Sequence, residues 1–252
     1  PGSGKSEFID QIMVNLAQSE GWRFAVASFE NPPPLHIAKL SEKYVGKPFF
    51  EGMPDRMSRV ESVSAMKWVN DHFLFLEQRG GEAATIDSIL DRARQAVMRL
   101  GIRGLVIDPY NYISQSKSVD NEHQGINEML TRLVAFARAN QIHIWFIAHP
   151  AKMATNPDGT TAVPKGMNIS GSAAFFAKAD LGITVHLSPE KASEIHVWKV
   201  RFKWIGSTGA TVLDYDMPTG RYSELKLEDM PDPFTARVPD WNETDDDWEI
   251  ET

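Results

Sequence analysis

The chain has 252 residues, a hydrophobic fraction of 42% and a formal net charge of −8. This composition excludes a fibre, a disulfide scaffold and a wholly disordered protein, and the lack of cysteine excludes cysteine-ligated zinc or iron-sulfur sites. No apolar run approaches the roughly 18 residues that span a membrane, so we expect no membrane partner.

Helix and strand patterns alternate along the chain. Apolar residues at helical spacing predict helices over 5–19, 86–100 and the region around 126–137. Short apolar runs predict strands at 24–29, 104–107, 142–148 and 181–187, followed by a hairpin formed by 194–204 and 210–216. Between the first of these strands and the 86–100 helix, prolines and Gly80-Gly81 predict short helices and loops. We therefore predict an α/β fold with a mostly parallel twisted sheet, flanking helices and a C-terminal β-hairpin.

Negative charge is concentrated at the C-terminus. Residues 228–252 contain ten acidic residues against one basic residue, a charge of −9, which leaves residues 1–227 at about +1. The negative net charge of the whole chain therefore does not exclude nucleic-acid binding by residues 1–227. We interpret 228–252 as a flexible, solvated tail, with docking to a partner as the alternative.

The first residues match the end of a phosphate-binding loop. Residues 1–6 read PGSGKS, in register with the last part of G-x-x-x-x-G-K-[ST], and a predicted helix follows. In such a loop, backbone N–H groups surround phosphate oxygens, the lysine neutralises the β- and γ-phosphates, and the hydroxyl binds Mg²⁺. This assigns nucleotide binding to Gly2, Ser3, Gly4, Lys5 and Ser6, with Ser6 also a metal ligand. We expect the first glycine of the motif and its preceding strand to lie upstream; a chance G-K-S in a glycine-rich turn is the alternative.

Three further candidate residues follow predicted strands. Asp108 ends the run LVID, where P-loop enzymes hold Mg²⁺ through water; a helix cap or turn is the alternative. Glu30 follows FAVASF and is the candidate general base. His149 follows IHIWFIA and could sense the γ-phosphate, or could be a structural hydrogen-bonding residue. Because carboxyl ends of parallel strands meet at one edge, we expect these three and Lys5 to converge.

Taken together, seven sequence segments resemble the helicase domain of RecA-like hexameric replicative helicases in the DnaB-like superfamily. They are PGSGKSEF, SFENPP, LVIDPYNY, FIAHPAK and KVRFKW with GATVLDYD and TGRY, and the similarity is greatest to the phage primase-helicase and Twinkle type. The resemblance covers nearly all of residues 1–222. It implies a RecA-like ATPase domain over 1–227 and an acidic tail over 228–252 similar to the tails by which phage helicases engage their polymerase.

The resemblance also implies roles for individual residues. Lys5 and Ser6 match the Walker A lysine and serine, Asp108 the Walker B aspartate, Glu30 the catalytic glutamate and His149 the sensor. Arg201 matches the arginine finger that reaches the γ-phosphate in the neighbouring subunit, and Lys199 resembles its basic partner.

Strand alternation supports this pairing independently, because it places Lys199, Arg201 and Lys203 on one face; a solvated basic face is the alternative. Phe202 is a candidate for the adenine pocket, with aromatic core packing as its alternative.

A long polar stretch, residues 151–172, is the candidate DNA-binding loop. It is punctuated by glycine and proline, as expected of a loop that projects into a channel. Its lysines are candidate phosphate ligands, and other residues could bond the DNA backbone. The assigned residues are Lys152, Lys165, Asn168, Ser170, Gly171 and Ser172. Phage relatives tend to have arginine where Ser170 stands, and a disordered surface loop is the alternative.

The sequence therefore predicts a motor domain of a replicative DNA helicase. The family resemblance implies a hexamer or heptamer that hydrolyses ATP or dTTP with Mg²⁺, translocates on single-stranded DNA and unwinds duplex. Its expected location is the cytoplasm of a bacterial or phage-infected cell, or the mitochondrial matrix or nucleoid of a eukaryote. A RecA-like recombinase and a nucleotide-gated DNA-binding ring that does not translocate are the alternatives.

Overall fold

The computed structural model describes residues 3–77, 84–108, 122–150, 162–169, 172–188 and 192–225. The helices of this part of the chain are α1 (Lys5–Glu20), α2 (Pro33–Val45), α3 (Arg59–His72), α4 (Ile86–Leu100), α5 (Glu122–Asn140) and α6 (Ser172–Lys178). Its strands are β1 (Phe24–Ser28), β2 (Phe73–Phe75), β3 (Gly104–Asp108), β4 (His143–Phe146), β5 (Leu181–Leu187), β6 (Ser193–Val200), β7 (Gly209–Asp216) and β8 (Arg221–Glu224). None of the helices in these ranges is both long and apolar enough to cross a membrane.

The strands form two sheets of four. The first has the order β2-β1-β3-β4, and all its strands are parallel. The second has the order β5-β6-β7-β8 and is antiparallel throughout. The α/β fold with a parallel sheet is confirmed, and the predicted C-terminal hairpin is the β6–β7 pair inside the larger antiparallel sheet.

Helices cover both faces of the parallel sheet. On one face, Ala25 and Leu105 pack with α4 and α5. On the other face, Phe24, Val26 and Val106 pack with α1, α2 and α3. Successive strand residues point to opposite faces, so these strands are apolar on both sides and read as continuous hydrophobic runs. This burial fixes the sheet, and with it the positions of the turns at its carboxyl edge.

The prediction of helices and loops between β1 and α4 is confirmed, but the helices are of ordinary length and the edge strand β2 was not predicted. This stretch contains α2 with 13 residues, α3 with 14 residues and the edge strand β2. Prolines begin α2 instead of breaking it, because proline at the first helical positions loses no hydrogen bond and already has a helical φ. A capping box between Ser58 and Glu61 begins α3.

The predicted strand at 194–204 is too long. Strand β6 ends at Val200, and residues 201–205 form bends and turns. The pairing also shifts: Gly182 lies opposite Lys199, whereas Ile183 lies opposite Val197, so Trp198 forms a bulge. Arg201 and Lys203 thus lie beyond the end of the strand, so the alternation argument does not apply to them, although Lys199 and Arg201 both reach the carboxyl end of α6. The assignment of Arg201 therefore rests on the family motif.

A groove separates the two sheets. Strands β4 and β5 each pair on one side only within the described residues, and a cavity of about 350 Å³ lies between them. Its lining is mostly apolar and includes Trp145, Ile147 and Ile183, with Lys5 and Phe8 of α1 at one side. The groove therefore presents two unpaired strand edges beside the start of α1.

Candidate nucleotide-binding site

The start of α1 has the geometry of a phosphate-binding loop. Gly4 directly precedes the helix with a φ of 83°, a left-handed conformation that glycine adopts without steric cost. The first N–H groups of a helix have no intrahelical partners, so they can bind an anion. The hydroxyl of Tyr222 on β8 donates to the Gly4 carbonyl at 3.2 Å, and its ring packs edge-on against Phe8. The antiparallel sheet thus contacts the loop directly.

Lys5 and Ser6 face the acidic side of the site. The Lys5 ammonium donates to the Ser3 hydroxyl at 3.2 Å. Burial lowers the pKa of Lys5, while the nearby charges of Asp108 and Glu30 act in the opposite direction. The Ser6 side chain is hydrogen-bonded to Asp108. The two side chains predicted for Walker A are therefore brought to the two predicted carboxylates.

Asp108 lies at the carboxyl end of β3. It pairs with Ser28, and its carbonyl accepts a hydrogen bond from the Phe29 N–H at 2.9 Å, which ties the ends of β1 and β3 together. Burial raises the pKa of the Asp108 carboxyl; the Ser6 hydrogen bond opposes this shift, and the charges of Asp10 and Glu30 add to it. A buried carboxylate near other acids is stabilised by a cation.

The described residues include no cluster of three or more His, Cys, Asp or Glu suited to hold a metal. Magnesium does not need such a cluster, because it is commonly held by one or two protein oxygens together with phosphate oxygens and water. The hydrogen-bonded hydroxyl of Ser6 and buried carboxylate of Asp108 are hard oxygen ligands of this kind. The donor set therefore fits Mg²⁺ bound with a nucleotide.

Glu30 and His149 meet at the same edge. Glu30 follows β1 in a turn, and its carboxylate lies 3.7 Å from Nε2 of His149. The chain reaches His149 from β4, whose pairing continues in the hydrogen bond from the Ile147 N–H to the Ile107 carbonyl. Burial lowers the pKa of His149, and the charge of Lys5 lowers it further while Glu30 acts in the opposite direction. His149 is therefore mostly neutral at pH 7.

The expected convergence is thus present in the structure. Lys5, Ser6, Glu30, Asp108 and His149 interact at one end of the parallel sheet. Gly2 lies outside the described residues.

A buried layer of charged residues behind the site was missed from the sequence. Asp10 on α1 and His36 on α2 form a pair at 2.8 Å, and each residue is 2% exposed. Burial disfavours the charged form of His36, but the charge and hydrogen bond of Asp10 outweigh this effect and raise the pKa of His36. This pair joins the helix that follows the phosphate loop to the helix that follows Glu30.

A second charged group joins the same two helices. Glu7 on α1 contacts Lys39 at 2.8 Å and also the fully buried ammonium of Lys43. At the carboxyl end of α2, Arg221 of β8 donates to the carbonyls of Lys43 at 2.7 Å and Tyr44 at 2.9 Å. A sequence signal existed: the polar residues Glu7 and Asp10, and likewise His36, Lys39 and Lys43, recur at helical spacing on inward faces.

Arg201 and Lys199 lie at the carboxyl end of α6. The Arg201 guanidinium contacts Asp180 at 3.1 Å and donates to the Ala177 carbonyl at 2.5 Å. The Lys199 ammonium donates to the Phe176 carbonyl and lies 4.8 Å from the centre of its ring. Cations at a helix C-terminus satisfy free carbonyls and the helix dipole. The structure therefore places both cations on α6 instead of among the five converging residues.

Phe202 lies in the turn that follows β6. It stacks on Trp204 with ring centres 5.1 Å apart, and Trp204 is 77% exposed. Phe202 is thus half-buried at the surface of the chain, and the alternative of aromatic core packing is wrong. Its role in an adenine pocket stays a prediction.

Part of the candidate DNA-binding loop is described. Lys165 is exposed, and its backbone N–H donates to the Asn168 side chain at 2.8 Å. Residues 166–168 form a 3₁₀ turn, and Ile169 bridges to Pro150 directly after His149. Lys152, Ser170 and Gly171 lie outside the described residues, as does the side chain of Ser172 at the start of α6.

With this geometry established, comparison with known proteins identifies the family. Residues 1–155 match the AAA domain family. The chain belongs to that family. It is 41% identical over 235 residues to the "Twinkle homolog protein, chloroplastic/mitochondrial" of Arabidopsis thaliana, covering 89% of this chain and 33% of that protein. It is also 25% identical over 240 residues to a "Probable plasmid replicative DNA helicase" of Chlamydia psittaci, covering 90% of this chain and 50% of that protein. The chain thus spans a third to a half of these relatives.

Solved structures give the same fold. An ATPase domain of known structure superposes with a TM-score of 0.73 at 16% identity, covering 90% of this chain and 82% of that one. A DnaB-like replicative helicase, determined with its primase interactions, superposes with the same score and identity, covering 90% and 57%. This AAA-family chain therefore has the ATPase fold of DnaB-like replicative helicases, and the predicted family relationship is confirmed.

Proposed function

We propose that this domain hydrolyses a nucleoside triphosphate to translocate on single-stranded DNA, as the motor domain of a replicative helicase. The observation that carries the proposal is the meeting of Lys5, Ser6, Glu30, Asp108 and His149 at one sheet edge. The name of one relative, a probable plasmid replicative DNA helicase, supports the same function.

The residues of this edge divide the chemistry among them. Lys5 and the loop N–H groups bind the β- and γ-phosphates of ATP or dTTP. Ser6 and, through water, Asp108 would hold Mg²⁺, which would neutralise phosphate charge. Glu30 accepts a proton from the water that attacks the γ-phosphorus, as the bond from that phosphorus to the β-phosphate oxygen breaks. Neutral His149 hydrogen-bonds the γ-phosphate without adding positive charge.

We propose that Arg201 completes this site in the adjacent subunit of a hexameric or heptameric ring. Its contacts with Asp180 and the end of α6 support this role, because they hold the guanidinium on an element outside its own site. Lys199, which is bonded to the same end of α6, is the proposed basic partner of Arg201. Phe202, in the turn after β6, is the proposed contact for the adenine ring. An arginine supplied in trans raises the rate of phosphoryl transfer by about 10³- to 10⁵-fold in other ATPases and GTPases.

Single-stranded DNA is the proposed substrate for translocation. Lys152 and Lys165 contact its phosphates, and Asn168, Ser170, Gly171 and Ser172 contact its backbone. The acidic tail at 228–252 is the proposed contact for a replicative polymerase. The proposed location is wherever such DNA is copied: the cytoplasm of a bacterial or phage-infected cell, or the mitochondrial matrix or nucleoid of a eukaryote.

The domain assignment remains a proposal as well, with the ATPase over 1–227 and the tail over 228–252.

We further propose that a strand leading into the phosphate loop lies in the groove between β4 and β5. Two strand edges without a partner among the described residues, an apolar lining and the adjacent start of α1 support this placement. Slow hydrogen exchange of the β4 and β5 amides in the full-length protein would support it, and fast exchange at both edges would exclude it.

Hydrolysis and unwinding together test the function. We expect ATP hydrolysis that single-stranded DNA stimulates, and displacement of a strand from a forked duplex. A recombinase would displace a strand only when a homologous single strand is supplied to replace it, and a nucleotide-gated ring that does not translocate would bind DNA without unwinding it. Glu30→Gln is the control, because it should retain nucleotide and lose both activities.

A further inference from the structure

Trp198 lies between two glycines that come from different parts of the chain. It forms the bulge in β6, and its indole ring lies against Gly182 of β5 and Gly166 of the described DNA-loop segment 162–169. A Cβ built at either glycine would overlap the ring. The backbone of this segment therefore approaches the indole as closely as a glycine permits.

The other neighbours of Trp198 are the elements that hold the two candidate trans-acting cations. Its ring stacks on Phe176 with centres 5.7 Å apart and planes 17° apart. The Lys199 ammonium lies over the same Phe176 ring, and Arg201 bonds the next carbonyl along α6. Trp198 thus packs between the DNA-loop segment and the end of α6.

The rest of the segment 162–169 is held in place by backbone and hydroxyl contacts. Thr184 of β5 donates to the Pro164 carbonyl at 2.5 Å, and Ile169 bridges to Pro150. Between these attachments, Gly166 is buried against the indole while Lys165 remains exposed. The contact with Trp198 is therefore central to the position of the exposed lysine.

We propose that Trp198 is the positioning residue of the DNA-binding segment, holding the backbone around Gly166 so that Lys165 is presented to DNA phosphates from a fixed platform. This inference rests on the proposed DNA-binding function and adds a residue that does not itself touch DNA. A fixed backbone binds more tightly than a mobile one because less conformational freedom is lost on binding.

Binding of the full chain to a fluorescent oligo-dT tests this role. Trp198→Leu removes the stacking surface, and Gly166→Ala pushes the segment away from an intact ring; we expect each to weaken binding about tenfold. The double variant should be no weaker than Trp198→Leu, because both changes act on one contact. Trp198→Phe keeps an aromatic ring and should retain most of the affinity.

Two controls separate positioning from damage to the fold. Gly209→Ala adds a methyl group where a Cβ would meet nothing within 4 Å, so its DNA affinity should equal that of the wild type. The affinity of every variant for a fluorescent ATP analogue with Mg²⁺ should be unchanged.

The outcomes distinguish the two levels of the proposal. The role of Trp198 would be overturned if either Trp198→Leu or Gly166→Ala bound oligo-dT with wild-type affinity. It would also be overturned if the affinity loss of the double variant equalled the product of the two single losses. Either result would leave the DNA-binding function itself intact. A wild-type chain that does not bind oligo-dT would overturn the DNA-binding function, and this inference with it.

Discussion

The carboxylate of Glu30 lies 3.7 Å from Nε2 of His149, although β3 separates the strands that lead to these two residues. The turns after β1 and β4 therefore approach each other across the end of β3, where Asp108 lies. The proposed proton acceptor and an imidazole whose pKa burial lowers are thus brought together at the carboxyl edge of the sheet.

Loss of the Glu30 carboxylate should separate hydrolysis from binding. Glu30→Gln removes the proton acceptor with little change in size, so we expect kcat to fall about 10²- to 10⁴-fold. Affinity for a fluorescent ATP analogue should stay within a few-fold, since Lys5 and the loop bind the phosphates. Glu20→Gln, an exposed carboxylate at the end of α1, is the matched control and should leave both values unchanged. Turnover at the wild-type rate in Glu30→Gln would remove Glu30 from the mechanism.

Two lysines that share Glu7 should differ in their contribution to stability. Lys43 is 1% exposed, whereas the Lys39 side chain is 26% exposed. Burial raises the pKa of Glu7, but Lys43 and Lys39 together outweigh this effect and lower it. We expect Lys43→Met to reduce the free energy of unfolding by about 3 kcal/mol. Lys39→Met should cost about 1 kcal/mol or less, because this pair is partly solvated. Urea unfolding measures both, and equal losses would contradict the account.

The Asp10–His36 pair predicts a specific dependence of stability on pH. The pKa of His36 is higher in the folded chain than its ordinary value of 6.5, so the folded chain holds this proton more tightly. The resulting stabilisation is fully present below about pH 6.5 and is lost as the pH rises through the raised pKa. The difference in unfolding free energy between wild type and His36→Gln should therefore shrink as the pH rises above about 6.5.

Asp10→Asn provides a second variant for the same pair. Without the Asp10 charge, burial dominates at His36, so this pH-dependent stabilisation should disappear. Urea titrations over the same pH range measure the effect. A His36→Gln difference that grows with pH would show that the pair is not stabilised by a proton on His36.

Local signals explain which elements could be predicted. The helix α4 carries its own boundaries, a Thr85 cap at the start and a left-handed Gly101 at the end, so its predicted range matches the structure. The prolines at the start of α2 mislead because proline is common both in the first turn of a helix and in loops. Strand β8 has no comparable local signal, because it is short and half-exposed. The contact of its Tyr222 with Gly4 joins residues from opposite ends of the described chain.

The residues of the site likewise divide into those with a signal in the sequence and those whose positions depend on packing. The meeting of Lys5, Glu30, Asp108 and His149 was predictable because parallel strands share a carboxyl edge. The Asp10–His36 pair was not, because it depends on how α1 and α2 rotate about their axes when they pack. Likewise, the bulge at Trp198 redirects the residues that follow it, and no strand pattern in the sequence indicates a bulge there.

The central claim is that subunits complete one another's sites on DNA, and mixing two inactive variants tests it most directly. Glu30→Gln lacks the base but keeps Arg201, and Arg201→Ala lacks the finger but keeps Glu30. In a mixed ring, some interfaces join an intact Glu30 to an intact Arg201 from the adjacent subunit.

The measurement is ATP hydrolysis with and without single-stranded DNA at protein concentrations that permit ring formation. We predict that each variant alone is inactive, and that mixing restores DNA-stimulated hydrolysis, with a maximum near equal amounts. A mixture no more active than the sum of its two components would contradict catalysis shared between subunits.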